Sequence, residues 1–473
     1  MRKAVVGVAS VAAVLLLGAG YAGLDVAGAV PGPLTTTPSP TASPLPTAPA
    51  ATTPADPADP VLPALPTDAP VPDPAVLAGL GALLADPALG TSVSASLVDA
   101  ATGTDLLSLA ADVPRAPASV AKLLTGAAAL TTLGPTARAT TRVVEGATPE
   151  EVVLVAGGDV LLSAGAGNTA LVNGHAGLDD LAAATAASLR VDGRTAVTLR
   201  LDDALFTGPT TSPGWSPGDV GAGYVAPIAP LAVDEARLAA GEYAPRAADP
   251  ALAAAQQFGR ALAARGVTVL GDGVVRASAV AGARTLGEVT SATTAEQVEL
   301  MLTTSDNTLA EVLARRVAHA LDRPATFDDA SAAVAEAVGG LGVDVTGVAL
   351  QGGSGLGRET RLPVRVLTGL LAAVDSGDHP DLAALASGLP VAAVTGTLLD
   401  RYDSADEVAG AGVVRAKTGT LSGVNSLAGY VRDADGRLLA FAVVADAVPP
   451  GGSVGARDAL DRFTSALVGC GCR

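Results

Sequence analysis

The sequence predicts an α/β fold of the α+β kind: an antiparallel sheet built from both chain ends, flanked by helices, with a β-rich domain inserted in the middle. Three observations point there. Short strand-like runs near Ser92–Val98 and Leu106–Ala110 come early, followed by a helical pattern in "SVAKLLTGAAALTTLG". The end alternates strand, turn, strand and helix in "VVRAKTGT", "SLAGYVRDADGRLLAFAVVAD" and "ARDALDRFTSALV", with Asp435-Gly436 as the hairpin turn. Between these flanks the texture changes to short β-rich runs and glycine-rich turns.

In chain order, the first 29 residues carry two basic residues, an apolar run from Ala4 to about Gly23, and "AGA" at Ala27–Ala29. That is the layout of a secretory signal cleaved after Ala29. The run is also near the length of a bilayer span, so an uncleaved N-terminal anchor is the alternative. Either way the rest is secreted or held in the cell envelope. Residues 30–73, with "TTTPSPTASPLPTAPAATTPADPADP", are too rich in proline, threonine and alanine to build a core and read as a disordered linker.

The body begins at residue 74, with a helix over Ala75–Leu84 and a further helix from Ser119 to Leu133. Residues 141–285 form the insert. Its strands are expected in "RVVEG", "EVVLVAGG", "AVTLRLDD" and "VVRAS", and its helices near Leu178–Leu189 and Ala251–Arg265. Residues 286–473 return to the first body. They carry a helical stretch from Ala295 to about Leu341, broken at "TTSDNT", and a helix in "RLPVRVLTGLLAAV".

The net charge of −18, 29 basic against 47 acidic residues, argues against a nucleic-acid partner, because no basic face is visible to neutralise phosphates. The two cysteines, Cys470 and Cys472, sit at the extreme C-terminus in "GCGCR" and have no zinc-ligand set around them. The three histidines, His175, His319 and His379, lack metal-site spacing.

Chemistry concentrates around the lysines. The chain has three, Lys3, Lys122 and Lys417, and 26 of its 29 basic residues are arginine. Arginine stays protonated, whereas a desolvated lysine can lose its proton and act as a base. Lys122 follows Ser119 by three positions on a predicted helix, so the two side chains share a face. A serine at a helix N-terminus beside such a lysine is a nucleophile with its base. Ser305-Asp306-Asn307 lies at the helix break and offers a hydroxyl relay and an amide, or a cap for the next helix. Lys417-Thr418-Gly419-Thr420 lies on a late strand, where glycine signals close approach by a backbone or ligand.

Ser-x-x-Lys, Ser-x-Asn and Lys-Thr-Gly, in that order, are the motifs of active-site-serine penicillin-recognising enzymes. The stretches "PASVAKLLTGAAALTTLGP", "LVAGGDVLLS", "GWSPGDVGAGYVAPIAPLAVDEARL", "GGSGLGRETRLP" and "GLPVAAVTGTLLDR" narrow the match. From Pro74 to the C-terminus the chain resembles the D-alanyl-D-alanine carboxypeptidase/endopeptidase family of actinobacterial type, the class C low-molecular-mass penicillin-binding proteins. That resemblance implies a transpeptidase/β-lactamase-like core with extra material between the first two motifs. The 186 positions from Ser119 to Ser305 leave room for it.

It also implies roles. Ser119 attacks the carbonyl of the penultimate D-alanine and Lys122 takes its proton. The backbone N–H groups of Ser119 and Thr420 form the oxyanion hole. Ser305 relays a proton to the leaving amine, Asn307 holds the substrate amide, and Lys417 supports the field around Ser305. Thr418 and Thr420, flanking Gly419, bind the terminal carboxylate. The implied partners are peptidoglycan stem peptides and β-lactam antibiotics, with no metal or organic cofactor. One departure stands out: where the family usually has Asp-Gly-Ser-Gly-Leu-Ser-Arg, this chain reads Gly352-Gly353-Ser354-Gly355-Leu356-Gly357-Arg358.

Rival readings are weaker. Gly451-Gly452-Ser453-Val454-Gly455 fits a nucleophile elbow, but no histidine follows it as a Ser-Asp-His order requires. A class A-like serine β-lactamase would share all three motifs but need a glutamate base between the second and third, and no Glu-x-x-Leu-Asn stands there. An inactive wall-binding relative should have lost a motif residue, and none is lost.

Overall fold

The computed structural model describes residues 69–471. The N-terminal segment 1–29, nearly all of the linker and Cys472 lie outside these residues.

After a short helix α1 (Pro74–Gly81), strands β1 (Val93–Asp99) and β2 (Asp105–Leu109) form the first hairpin. A 3₁₀ turn, Ala118–Ala121, leads into α2 (Lys122–Leu133). Strands β3 (Arg138–Glu145), β4 (Glu151–Val155), β5 (Asp159–Leu162), β6 (Ala196–Asp202), β7 (Leu231–Val233), β8 (Thr268–Arg276) and β9 (Thr285–Thr293) follow, with helices α3 (Leu178–Val191) and α4 (Pro250–Ala264) among them. Helices α5 (Thr294–Thr304), α6 (Asn307–Ala320), α7 (Phe327–Gly339), α8 (Val364–Asp375) and α9 (Ala383–Ser387) come next. Strands β10 (Arg415–Leu421), β11 (Val424–Arg432) and β12 (Leu438–Ala445) and helix α10 (Ser453–Val468) complete the chain.

Strands from both ends build one antiparallel sheet in the order β10-β11-β12-β1-β2, as expected. Its central strands show why both faces are covered. In β12, Ala440, Ala442 and Val444 join the core that holds α2, α6, α7 and α8. Leu439, Phe441 and Val443 point the other way, into the core with α1 and α10. The period-2 alternation thus buries small residues against one helical layer and large ones against the other.

The second sheet, β8-β6-β4-β3-β9, lies wholly between Arg138 and Thr293. This sheet starts three residues before the expected 141 and ends eight residues past the expected 285. It is mixed: β4, β6 and β8 run parallel, and β3 is antiparallel to both β4 and β9. Its core packs Val152, Leu154, Leu199 and Leu201 against Leu181 and Leu189 of α3 and Phe258 of α4.

Two local expectations change. Ser119 stands on the 3₁₀ turn, three residues before the α-helix starts at Lys122. The helical stretch beyond Ala295 breaks twice. The second break, after Ala320, comes where Asp322 takes φ +55°, Pro324 cannot continue a helix, and the Thr326 side chain caps α7.

Candidate active site

The three motifs converge on one cavity of about 1290 Å³, lined by Ser119, Ser305, Asn307, Thr418 and Thr420, with Tyr224 opposite. Lys122 and Lys417 are fully buried in its wall.

Each side chain is placed by local sequence. Ala118 holds φ +51°, which turns the chain sharply just before Ser119. The 3₁₀ turn then brings Ser119 Oγ to 2.9 Å from Lys122 Nζ. Asn307 Oδ1 and the Ser354 carbonyl accept from the same nitrogen at 2.7 and 2.8 Å. Burial strips Lys122 of water and draws its pKa down to about 7, against the opposing pull of the Asp306 and Glu311 carboxylates. A lysine titrating there is neutral in about half its copies at pH 7, which is what a general base requires.

The second motif sits at the joint between α5 and α6. Thr293 and Glu296 start α5 with a reciprocal capping box, and Ser305 ends it in the left-handed region, φ 61° and ψ 32°. For a serine this conformation costs about 1 kcal/mol. Ser305 Oγ makes no hydrogen bond to the described residues, which leaves it available in the cavity wall. Asp306 caps α6 by accepting from the Leu309 N–H at 2.7 Å. The capping and catalytic readings of this motif therefore fall on different residues. The Asn307 amide donates to the Tyr224 carbonyl at 2.9 Å, which fixes its oxygen toward Lys122.

The third motif lies on β10, the edge strand beside the turn that carries Ser119. A Cβ on Gly419 would lie 2.2 Å from Ser426 Oγ, 2.8 Å from the Pro117 carbonyl and 3.0 Å from the Ser119 nitrogen. Only glycine lets the strand come this close. Thr418 Oγ1 is 2.7 Å from Thr397 Oγ1, and the Thr420 side chain is exposed toward the cavity. Lys417 Nζ donates to the Thr418 carbonyl at 2.9 Å and makes no hydrogen bond to Ser305. Burial, and then the neighbouring Lys122 charge, hold Lys417 well below the usual lysine range.

The structure thus brings together all eight residues singled out from the sequence. It adds others that sequence reasoning missed. Glu311 follows Asn307 by four positions on α6, a spacing that puts both on one face. Ser354 and Tyr224 contribute through backbone carbonyls, which no side-chain motif reveals. Thr397 comes from a turn remote in sequence. At Gly352, where the resemblance leads one to expect an aspartate, φ is +94° and a Cβ would lie 2.6 Å from both Glu311 carboxylate oxygens.

Among solved structures, the chain is similar to penicillin binding protein 4 from Haemophilus influenzae, with a TM-score of 0.66 at 20% identity over 83% of this chain and 98% of that one. The fold is that of the penicillin-recognising enzymes. The model of the D-Ala-D-Ala carboxypeptidase 3 (S13) family matches residues 76–247 and 239–467. A carboxypeptidase of Mycobacterium tuberculosis is 39% identical over 366 residues, 76% of this chain and 77% of that protein. Carboxypeptidase DacB of Mycolicibacterium smegmatis is 38% identical over 372 residues, 78% of each chain. The protein belongs to the D-Ala-D-Ala carboxypeptidase 3 (S13) family and is a hydrolase of that class.

Proposed function

We propose that the protein cleaves D-Ala-D-Ala ends or cross-links of peptidoglycan stem peptides through an acyl-enzyme on Ser119. The observation that carries this is the 2.9 Å contact between Ser119 Oγ and a fully buried Lys122 whose pKa is near 7. Lys122 takes the Ser119 proton as Oγ attacks the carbonyl of the penultimate residue. The Ser119 and Thr420 N–H groups receive the developing oxyanion, with Gly419 letting β10 approach the Ser119 nitrogen closely. Ser305 passes a proton to the leaving amine, and Lys417 supplies field behind it. Asn307 binds the substrate amide, while Thr418 and Thr420 hold the terminal carboxylate. Water then releases the acyl group. β-Lactams acylate the same serine.

The chemistry is extracytoplasmic. The N-terminal segment exports the body, either cleaved after Ala29 or kept as an anchor, and the linker spaces it from the membrane. None of the helices among the described residues is long and apolar enough to cross a membrane.

Intact mass after exposure to benzylpenicillin, with drug consumption followed in parallel, tests this. The expected result is a stable one-drug adduct that is lost in Ser119→Ala. Rapid drug loss without an adduct would instead indicate a β-lactamase. Asn307→Ala is expected to raise KM for D-alanine release from a stem pentapeptide by about tenfold, the loss of one well-formed hydrogen bond. An unchanged KM would remove the amide from the binding role.

A further inference from the structure

Lys122 Nζ has three neighbours at hydrogen-bond distance, and two of them, Asn307 Oδ1 and the Ser354 carbonyl, can only accept. A neutral amine has two N–H bonds and one lone pair. With both N–H groups engaged by these oxygens, the lone pair is left facing the third neighbour, Ser119 Oγ. Orientation of the base therefore depends on where the Ser354 carbonyl is held.

That carbonyl belongs to a turn pressed between α6 and the nucleophile turn. A Cβ on Gly353 would meet Ala314 Cβ at 2.6 Å, and one on Gly355 would meet the Ala118 carbonyl at 2.1 Å. The turn is clamped from α6 by the fully buried Glu311. Its carboxylate accepts from the Gly353 N–H at 2.8 Å, the Ser354 N–H at 3.1 Å and the Ser354 hydroxyl at 2.5 Å. The Ser354 hydroxyl in turn accepts from the Leu356 N–H at 3.2 Å, so its own proton goes to Glu311. Burial raises the Glu311 pKa, while the three converging donors and the Lys122 charge oppose that shift and favour the carboxylate.

We propose that Glu311 is the positioning residue for the Lys122 base: it fixes the Gly353–Ser354 turn, whose carbonyl turns the amine's lone pair onto Ser119. The inference rests on the Ser119 acyl-enzyme reading. Glu311 also contributes charge. Lys122 faces the carboxylates of Glu311 and Asp306 from α6 and its cap, and Lys417 from β10; Glu311 itself also faces Arg315 one turn on. Burial disfavours the ammonium form of Lys122, and the two carboxylates favour it. Removing the Glu311 charge therefore makes Lys122 lose its proton at lower pH.

The test is the rate of Ser119 acylation by benzylpenicillin as a function of pH, for the wild type, Glu311→Gln and Ser354→Ala, with circular dichroism reporting folding. In Glu311→Gln the amide nitrogen confronts backbone donors, the turn shifts, and the plateau rate is expected to fall about a hundredfold. The acid limb of its profile is expected to move to lower pH, a change that a merely structural role would not produce. Ser354→Ala keeps the Glu311 charge and the carbonyl but loosens the clamp, so its plateau falls while its acid limb stays in place. If Glu311→Gln does not fold, Ser354→Ala decides alone. A folded variant with the wild-type plateau overturns the proposal, as does a lowered Glu311→Gln plateau with an unmoved limb. A wild type that acquires no adduct at Ser119 refutes the acyl-enzyme reading instead, so the two failures are distinct.

Discussion

Replacing Lys122 by arginine is expected to lower the acylation rate by about 10²- to 10⁴-fold, although the formal charge is kept. Two effects combine. A guanidinium does not surrender its proton in the accessible pH range, so Ser119 loses its base. The site is also fully buried and already filled by three oxygen neighbours, which leaves no room for a planar five-donor group. Acylation by benzylpenicillin, read across pH on folded protein, measures the first effect. The wild-type rate should rise through about pH 7 as the neutral amine forms, because protonated Lys122 cannot accept the serine proton. The arginine variant should show a low rate with no such limb. Near-normal acylation by the variant would sink the base assignment. Melting temperature separates overpacking from lost chemistry.

Gly419→Ala is the second large effect. Its Cβ would enter a space bounded by Ser426 Oγ, the Pro117 carbonyl and the Ser119 nitrogen, at 2.2, 2.8 and 3.0 Å. Ser426 Oγ is itself held by the Pro117 carbonyl at 2.6 Å, so it cannot swing aside without breaking a buried bond. The relief is for β10 to move away from the nucleophile turn. That separates the Thr420 and Ser119 N–H groups, and a shift on the order of 1 Å in such donors costs about a hundredfold in rate. Stability should fall by about 1–3 kcal/mol, as for other overpacked sites. A variant with wild-type acylation and an unchanged melting temperature would show that the strand and the turn are not in register for catalysis.

Much of this site was legible in the sequence because its chemistry uses scarce residues. Lysine is rare enough here that Lys122 and Lys417 mark the first and third motifs by themselves, and Asn307 marks the second. The antiparallel sheet was legible for a related reason: β11 and β12 are apolar strands flanking an Asp-Gly turn. What stayed hidden was whatever acts through the backbone. The Ser354 and Tyr224 carbonyls leave no residue-type signature. The left-handed Ser305 and the turn at Ala118 are imposed by packing, not by propensity. Glu311 could have been found from its i+4 spacing to Asn307, but a lone glutamate on an amphipathic helix more often faces solvent. The second helix break was missed because the apolar periodicity runs on past Pro324.

The bond from the Asn307 amide to the Tyr224 carbonyl has a consequence for engineering this enzyme. Tyr224 belongs to the long excursion between β3 and β9, which on a diagram looks dispensable. Arg237 from the same excursion pairs with Asp306 at 3.7 Å, so both residues after Ser305 are tethered to it. A pared-down enzyme lacking that excursion would keep every motif residue and yet lose the groups that tell Asn307 which way to point. Miniaturisation would preserve the parts list and discard the alignment.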